Sequence, residues 1–116
     1  MIIGSISEDK NFEKRVAITP DIIKKYLSLG LEVCLSKDYA THLGIVDEKY
    51  EKEGATILDN EEKVISNSNL LVQLNIPNEL NINRFKQNQI LIGVLNPYSN
   101  EKKLKELTSK NVSCFS

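Results

Sequence analysis

NFEKRVAITPDIIKKYLSLG, residues 11–30, decides how this chain is read. Its second half carries helix punctuation. Thr19 suits an N-cap, Pro20 the first helical position, and Asp21 complements the helix dipole. Ile22, Ile23, Tyr26 and Leu27 fall on one helical face, and Gly30 is placed to end the helix. The first half is different. Glu13, Lys14 and Arg15 lie in a connection of about ten residues, where such βα connections usually run about 2–6. The strand it leaves is IIGSI, residues 2–6.

Outward from this unit the chain alternates apolar runs with amphipathic ones. LEVCLS (31–36), ATIL (55–58), NLLVQLN (69–75), QILIGVL (89–95) and VSCFS (112–116) read as further strands. Asp47 to Glu53, stopped by Gly54, reads as a short helix, as does Asn60 to Ile65. NEKKLKELTSKN (100–111) is a helix with Leu104 and Leu107 inward. Repeated βαβ units predict an α/β fold with a parallel sheet between two helical layers. The fourth and fifth strands are nearly continuous apolar runs, as expected when both faces are buried. The chain stops inside a strand-like run, which leads us to expect a piece of a longer protein.

At 116 residues the length fits one domain, residues 1–116. Fifteen Lys and Arg stand against 16 Asp and Glu, interspersed, with a net charge of −1. No basic stripe or aromatic RNA-binding motif is present, so nucleic acid is not an expected partner. No apolar run reaches the roughly 18 residues of a membrane span, and MIIGSIS is too short and uncharged for a signal peptide. Cys34 and Cys114 read as reduced, buried small hydrophobes, which favours a cytoplasmic setting.

In open parallel sheets, ligands bind beyond the carboxyl ends of the strands. That selects the loops after the first, fourth and fifth strands. With strand order 3-2-1-4-5, Arg15, Asn75 and Asn96 face one crevice, with Tyr98 on the same loop as Asn96. Arg15 there could hold a carboxylate or phosphate bidentately. No G-x-G-x-x-G or G-x-x-x-x-G-K-[ST] occurs, and Asp21 would repel a phosphate at the first helix. One histidine, His42, and two distant cysteines make no metal cluster. His42 reads as a surface loop residue. A phosphoacceptor receiver domain of this length and fold class would use Glu8, Asp9 and Asp59 as cation ligands. The lysine such domains need before the last proline is here Asn96, and the loop before Thr19 is too long.

EKRVAITP (13–20) matches the E-x-R-V-A-x-T-P signature of the N-terminal segment shared by alanine dehydrogenase and the nicotinamide nucleotide transhydrogenase alpha subunit. The resemblance continues through VDEKYEKEGATIL (46–58), NLLVQLNIP (69–77) and GVLNPYSNEKKLKELTSKNVSCF (93–115). It implies a Rossmann-like or flavodoxin-like βα fold. In the dehydrogenase branch it implies a substrate trio: an Arg, carried here by Arg15, a Lys whose position holds Asn75, and a His whose position holds Asn96. Neither amide can pass the proton that amine–keto chemistry needs. The chain therefore looks closer to the alpha subunit of a proton-translocating NAD(P) transhydrogenase, with an amino-acid dehydrogenase as the alternative.

That resemblance implies NAD(H) and NADP(H) as cofactors of the intact enzyme, with none bound by these 116 residues. It implies membrane-embedded and NADP-binding partner subunits. It also implies a homodimer, and a cytoplasmic location peripheral to the inner membrane. The nucleotide-binding domain and the catalytic residues would follow Ser116. The expected cleft residues within the chain are Arg15, Asn75, Asn96 and Tyr98.

Overall fold

The computed structural model describes residues 1–116. Six strands form one sheet in the order β3-β2-β1-β4-β5-β6. They are β1 (Ile2–Ser5), β2 (Glu32–Ser36), β3 (Thr56–Leu58), β4 (Leu70–Val72), β5 (Ile90–Ile92) and β6 (Ser113–Phe115). Every pairing is parallel. The five helices are α1 (Pro20–Ser28), α2 (Asp47–Lys52), α3 (Glu61–Asn67), α4 (Glu79–Ile82) and α5 (Glu101–Ser109). The expected α/β three-layer architecture is present, with β1 at the switch point between β2 and β4.

Two apolar cores lie on opposite faces of the sheet. On one, Val64 and Ile65 of α3, Ile82 of α4 and Leu107 of α5 pack with Leu71 and Leu91. On the other, Ile23 of α1 and Tyr50 of α2 pack with Ile3, Val33 and Leu35. The period-2 alternation of the strands sends alternate residues to the two cores.

Gly30 follows α1 with φ 81° and Gly54 follows α2 with φ 111°, both in the left-handed region glycine favours. Asn60 caps α3 through its side chain, which accepts from Lys63 N at 2.9 Å. Thr19 occupies the N-cap of α1, but its hydroxyl is drawn elsewhere. It donates to Asp21 Oδ1 at 2.6 Å and leaves the backbone amides of the first turn alone.

The structure shortens two expected strands. Runs 69–75 and 89–95 pair as strands only over Leu70–Val72 and Ile90–Ile92. The β1–β4 register ends at Gly4 and Leu71, beyond which the chains part at the switch point. Individual bonds persist, as Gln73 N donates to Ile92 O and Val94 N to Leu74 O. Two elements had no clear sequence signal: α4, a single turn, and a 3-10 turn at Thr41–Leu43.

The fifth strand is also less enclosed than its apolar run suggests. Ile92 is 40% exposed, Val94 59% and Phe115 57%. On that face α1 packs on β2 and α2 on β3, so no helix reaches β5 and β6. Cys34 is buried, Cys114 is half-buried, and both are free thiols.

Gly93 marks the place where β5 passes under the β4 loop. A methyl group on its Cα would fall on the backbone carbonyl of Gln73, which cannot rotate away. Gly93→Ala is therefore expected to lower unfolding free energy by about 1–3 kcal/mol, as overpacking generally does. Urea unfolding with an unchanged midpoint would contradict this contact.

Candidate functional site

The long charged connection is held at its far end by two buried tyrosines. Ile18, fully buried, donates its N–H to Tyr39 Oη at 3.2 Å, and its carbonyl accepts from Tyr50 Oη at 2.8 Å. The two rings meet edge to face, with centroids 5.6 Å apart. Tyr39 Oη also shares a 2.8 Å hydrogen bond with Ser5 Oγ at the end of β1. Burial pushes the Tyr39 hydroxyl up to about 12 and the Tyr50 hydroxyl higher still, so both stay protonated donors.

The middle of the loop is clipped to the segment after β2. Lys10 Nζ donates to Asp38 O at 2.8 Å, and His42 Nε2 lies 2.8 Å from Lys14 O. His42 is therefore half-buried and ties two loops together, more than the surface residue its sequence context suggested. The loop is long because it crosses the carboxyl end of the sheet and is fastened to β1, β2 and α2 in turn.

Its near end builds a crevice. Gln73 is 3% exposed and lies just past β4. Its side-chain amide bonds both backbone groups of Ile6: Ile6 N donates to Oε1 at 2.7 Å, and Nε2 donates to Ile6 O at 3.0 Å. One side chain thus continues the β1–β4 ladder where the backbones separate. Gln73 Nε2 also donates to Glu8 Oε2 at 3.0 Å. Glu8 accepts further bonds from Leu74 N at 2.8 Å and Asn75 N at 3.2 Å. Burial raises the Glu8 carboxyl above its ordinary value, and those two amides pull it partly back.

Glu13 is the second buried-facing carboxylate, its side chain only 13% exposed. It accepts from Asn75 Nδ2 at 3.1 Å and from Arg15 three times. Arg15 Nε and Nη2 each approach it at 2.9 Å and Arg15 N at 3.1 Å. The guanidinium bonds, aided by Asn75, pull the Glu13 carboxyl down to about 2.

Between these groups lies a cleft of about 480 Å3. Glu8, Asp9, Glu13 and Glu61 line it, together with the amides of Gln73, Asn75 and Asn81, and with Lys103 of α5. Asn81 Nδ2 donates to Glu61 Oε2 at 2.7 Å and fixes the far wall. The lining is polar and mostly acidic, and it sits where parallel-sheet ligands bind.

Of the four residues expected at the cleft, Asn75 lines it. Arg15 stands at its margin, 77% exposed and turned onto Glu13. Asn96 and Tyr98 are not in the lining. Asn96 adopts φ 44°, a left-handed conformation asparagine tolerates, and its carbonyl accepts from Ser99 N and Asn100 N ahead of α5. Tyr98 is fully exposed. Glu8, Gln73 and Glu13 were not singled out as cleft residues. The signal for Gln73 was a lone amide inside the apolar run LLVQL.

No group of three or more His, Cys, Asp or Glu side chains is placed to hold a metal. Asp59, which a receiver would need beside Glu8 and Asp9, pairs instead with Lys63 at 3.4 Å.

The two carboxylates should titrate apart, and with opposite linkage. Glu13, depressed when folded, adds stability above its unfolded value of about 4.3. That stability is lost as pH falls toward 2. Glu8, raised when folded, favours the neutral form, so its charge opposes folding as pH rises through its folded value. Carbon-13 carboxyl titration is expected to place Glu13 near 2 and Glu8 above the ordinary glutamate value. Arg15→Gln should raise Glu13 more than Asn75→Ala does, because the guanidinium bond is the larger cause. A Glu13 midpoint indifferent to Arg15→Gln would refute the pairing.

Comparison with known proteins identifies the family to which this fold belongs. Alanine dehydrogenase 1 of Staphylococcus aureus is 30% identical over 116 residues, covering all of this chain and 31% of that protein. The structure of a transhydrogenase from Sinorhizobium meliloti superposes with a TM-score of 0.91 at 23% identity, over 100% of this chain and 34% of that one. An L-alanine dehydrogenase gives 0.90 at 20% identity, over 98% and 31%. At such identities these structures share the fold. The chain spans about a third of the length of these relatives. The model for the alanine dehydrogenase/PNT N-terminal domain matches residues 4–116. The chain belongs to that oxidoreductase-related family.

Proposed function

We propose that the chain is the N-terminal part of the NAD(H)-binding component of a transhydrogenase, which moves hydride between NAD(H) and NADP(H) in a proton-translocating assembly. One observation carries this reading. Asn75, which faces the crevice, is an amide committed to Glu13, and so supplies no acid or base to a substrate. Asn96 likewise offers no titratable group, and its backbone carbonyl serves the turn before α5. Transfer of hydride between two nicotinamides requires no proton delivered to an organic substrate, whereas interconversion of an amino acid and a 2-oxo acid does.

The residues of this chain do not fit a dinucleotide by themselves. The βα turns hold no glycine-rich loop. The first turn of α1 presents Pro20, which has no N–H, and the Asp21 carboxylate. Hydrogen bonding from Thr19 lowers the Asp21 carboxyl, keeping it charged at the place where a phosphate would seek open amides. On this reading the dinucleotide is held by a following domain, and Glu8, Gln73 and the Tyr39–Tyr50 pair give that domain a rigid wall. NADP-binding and membrane-embedded subunits would be its partners, at the cytoplasmic face of the inner membrane. The intact component would be a homodimer.

A second reading is an amino-acid dehydrogenase of the same family. The curated relatives at 30% identity are named alanine dehydrogenases, which favours it. The two readings separate in one pair of assays on the full-length protein with its partner subunits. The expected result is reduction of an NAD analogue by NADPH, without NADH-dependent amination of pyruvate. Robust amination without transhydrogenation would reverse the assignment. The 116-residue chain alone is expected to give no saturable NADH binding in calorimetry.

A further inference from the structure

We propose that His42 is a positioning residue for Arg15: from the turn after β2 it grips the Lys14 carbonyl, and so fixes the peptide plane that aims the Arg15 side chain along the crevice margin. The inference goes beyond the functional proposal and holds under either of its readings.

The grip rests on a fixed base. Tyr39 and Ala40, which follow β2, are fully buried. Leu43 N and Ile45 N both donate to Ala40 O, and Gly44, at φ 77°, closes the 3-10 turn with its N–H on Thr41 O. The His42 ring reaches from this turn to the signature loop, where Nε2 lies 2.8 Å from Lys14 O. A carbonyl oxygen only accepts, so Nε2 carries the proton. Nδ1 is buried and meets no donor or acceptor. A second proton there would be a buried donor without a partner, so the ring is the neutral Nε2–H tautomer.

One peptide group is thereby held at both ends. Its carbonyl, from Lys14, is bonded to His42, and its N–H, from Arg15, donates to Glu13 Oε2 at 3.1 Å. A planar peptide pinned on both edges cannot flip. Little else directs Arg15. Its side chain is 77% exposed, its Nη1 makes no hydrogen bond within the chain, and its bonds through Nε and Nη2 go to Glu13 alone. His42 supplies the only hydrogen bond that reaches the backbone of Lys14 or Arg15 from outside the loop. Lys14 Nζ turns back onto Lys10 O, 2.6 Å away, and adds no outside anchor. The aim of the guanidinium then depends on the peptide it leaves, and that peptide depends on one imidazole.

The Glu13 carboxyl reports this aim, because its bond to the Arg15 side chain is the largest cause of its low titration. Carbon-13 titration of His42→Ala is expected to raise the Glu13 midpoint by about 0.5–1 pH unit, the equivalent of one weakened hydrogen bond. His42→Gln, whose side-chain amide can donate at the reach of Nε2, should return it to the wild-type value. In the Arg15→Gln background, His42→Ala should move Glu13 by much less. Circular dichroism establishes that each variant folds. Should His42→Ala fail that check, His42→Asn takes its place, since it keeps a polar amide that stops short of Lys14 O. Nitrogen-15 spectra of the wild type should show the His42 proton on Nε2, with a coupling across the hydrogen bond to the Lys14 carbonyl carbon.

A folded His42→Ala or His42→Asn that leaves Glu13 unmoved overturns the inference, since the imidazole would then tether the loop without directing Arg15. A His42→Gln shift as large as that of His42→Ala overturns it too, as does a His42→Ala shift undiminished without Arg15. So does a wild-type ring that carries its proton on Nδ1 in place of Nε2.

Discussion

A parallel sheet whose strand order reverses at β1 must leave backbone groups unpaired where β1 and β4 separate. Buried N–H and C=O groups without partners are costly, at about 1–3 kcal/mol each. The chain meets this constraint with one side chain. Gln73 presents an N–H and a carbonyl oxygen with the spacing of a peptide group, and Ile6 bonds to both. The same amide then steadies Glu8, Glu8 orders the backbone of Leu74 and Asn75, and Asn75 steadies Glu13. The cleft is the downstream product of closing the switch point. Its shape depends on residues that make no appeal to a ligand at all.

This hierarchy explains which parts of the molecule could be read in advance. Element order and parallel sense followed from apolar runs and βα alternation, whereas the strand order 3-2-1-4-5 was supplied by the general topology of doubly wound sheets. Local steric signals such as Gly30, Gly54 and Asn60 marked helix ends because they act within one turn of chain. Strand lengths were overread, since the apolar runs 69–75 and 89–95 continue past the point where pairing stops. Apolar content does not set pairing: Leu95 stays buried past the end of the ladder, while Ile92 and Val94 of the same run are exposed. The cleft was located by topology, yet its members were legible only in part. Arg15 and Asn75 stood out by residue type and position. Glu8, Glu13 and Gln73 act across about 60 residues of sequence, and no spacing rule connects them.

The Asn96 loop shows a different limit. Asn96 follows β5, at the sheet edge where ligands of parallel sheets bind. The loop then turns to start α5, and a left-handed residue with a carbonyl free to accept Ser99 and Asn100 amides is what that turn requires. A residue type at a functional edge can thus be set by the demands of the next helix. The resemblance to alanine dehydrogenases and transhydrogenases is consistent with one scaffold carrying different crevice chemistry.

The pinning of Ile18 by Tyr39 and Tyr50 has an optical consequence. The chain contains no tryptophan and four tyrosines. Tyr39 and Tyr50 are fully buried and in edge contact, Tyr26 is half-buried and Tyr98 is exposed. Near-ultraviolet absorption and emission are therefore dominated by the phenol rings, with only weak bands from the three phenylalanines. The tyrosine fine structure is dominated by the two whose hydroxyls grip the signature loop. Lifting that loop would expose both hydroxyls to water, so its docking carries an intrinsic spectral label that needs no added probe.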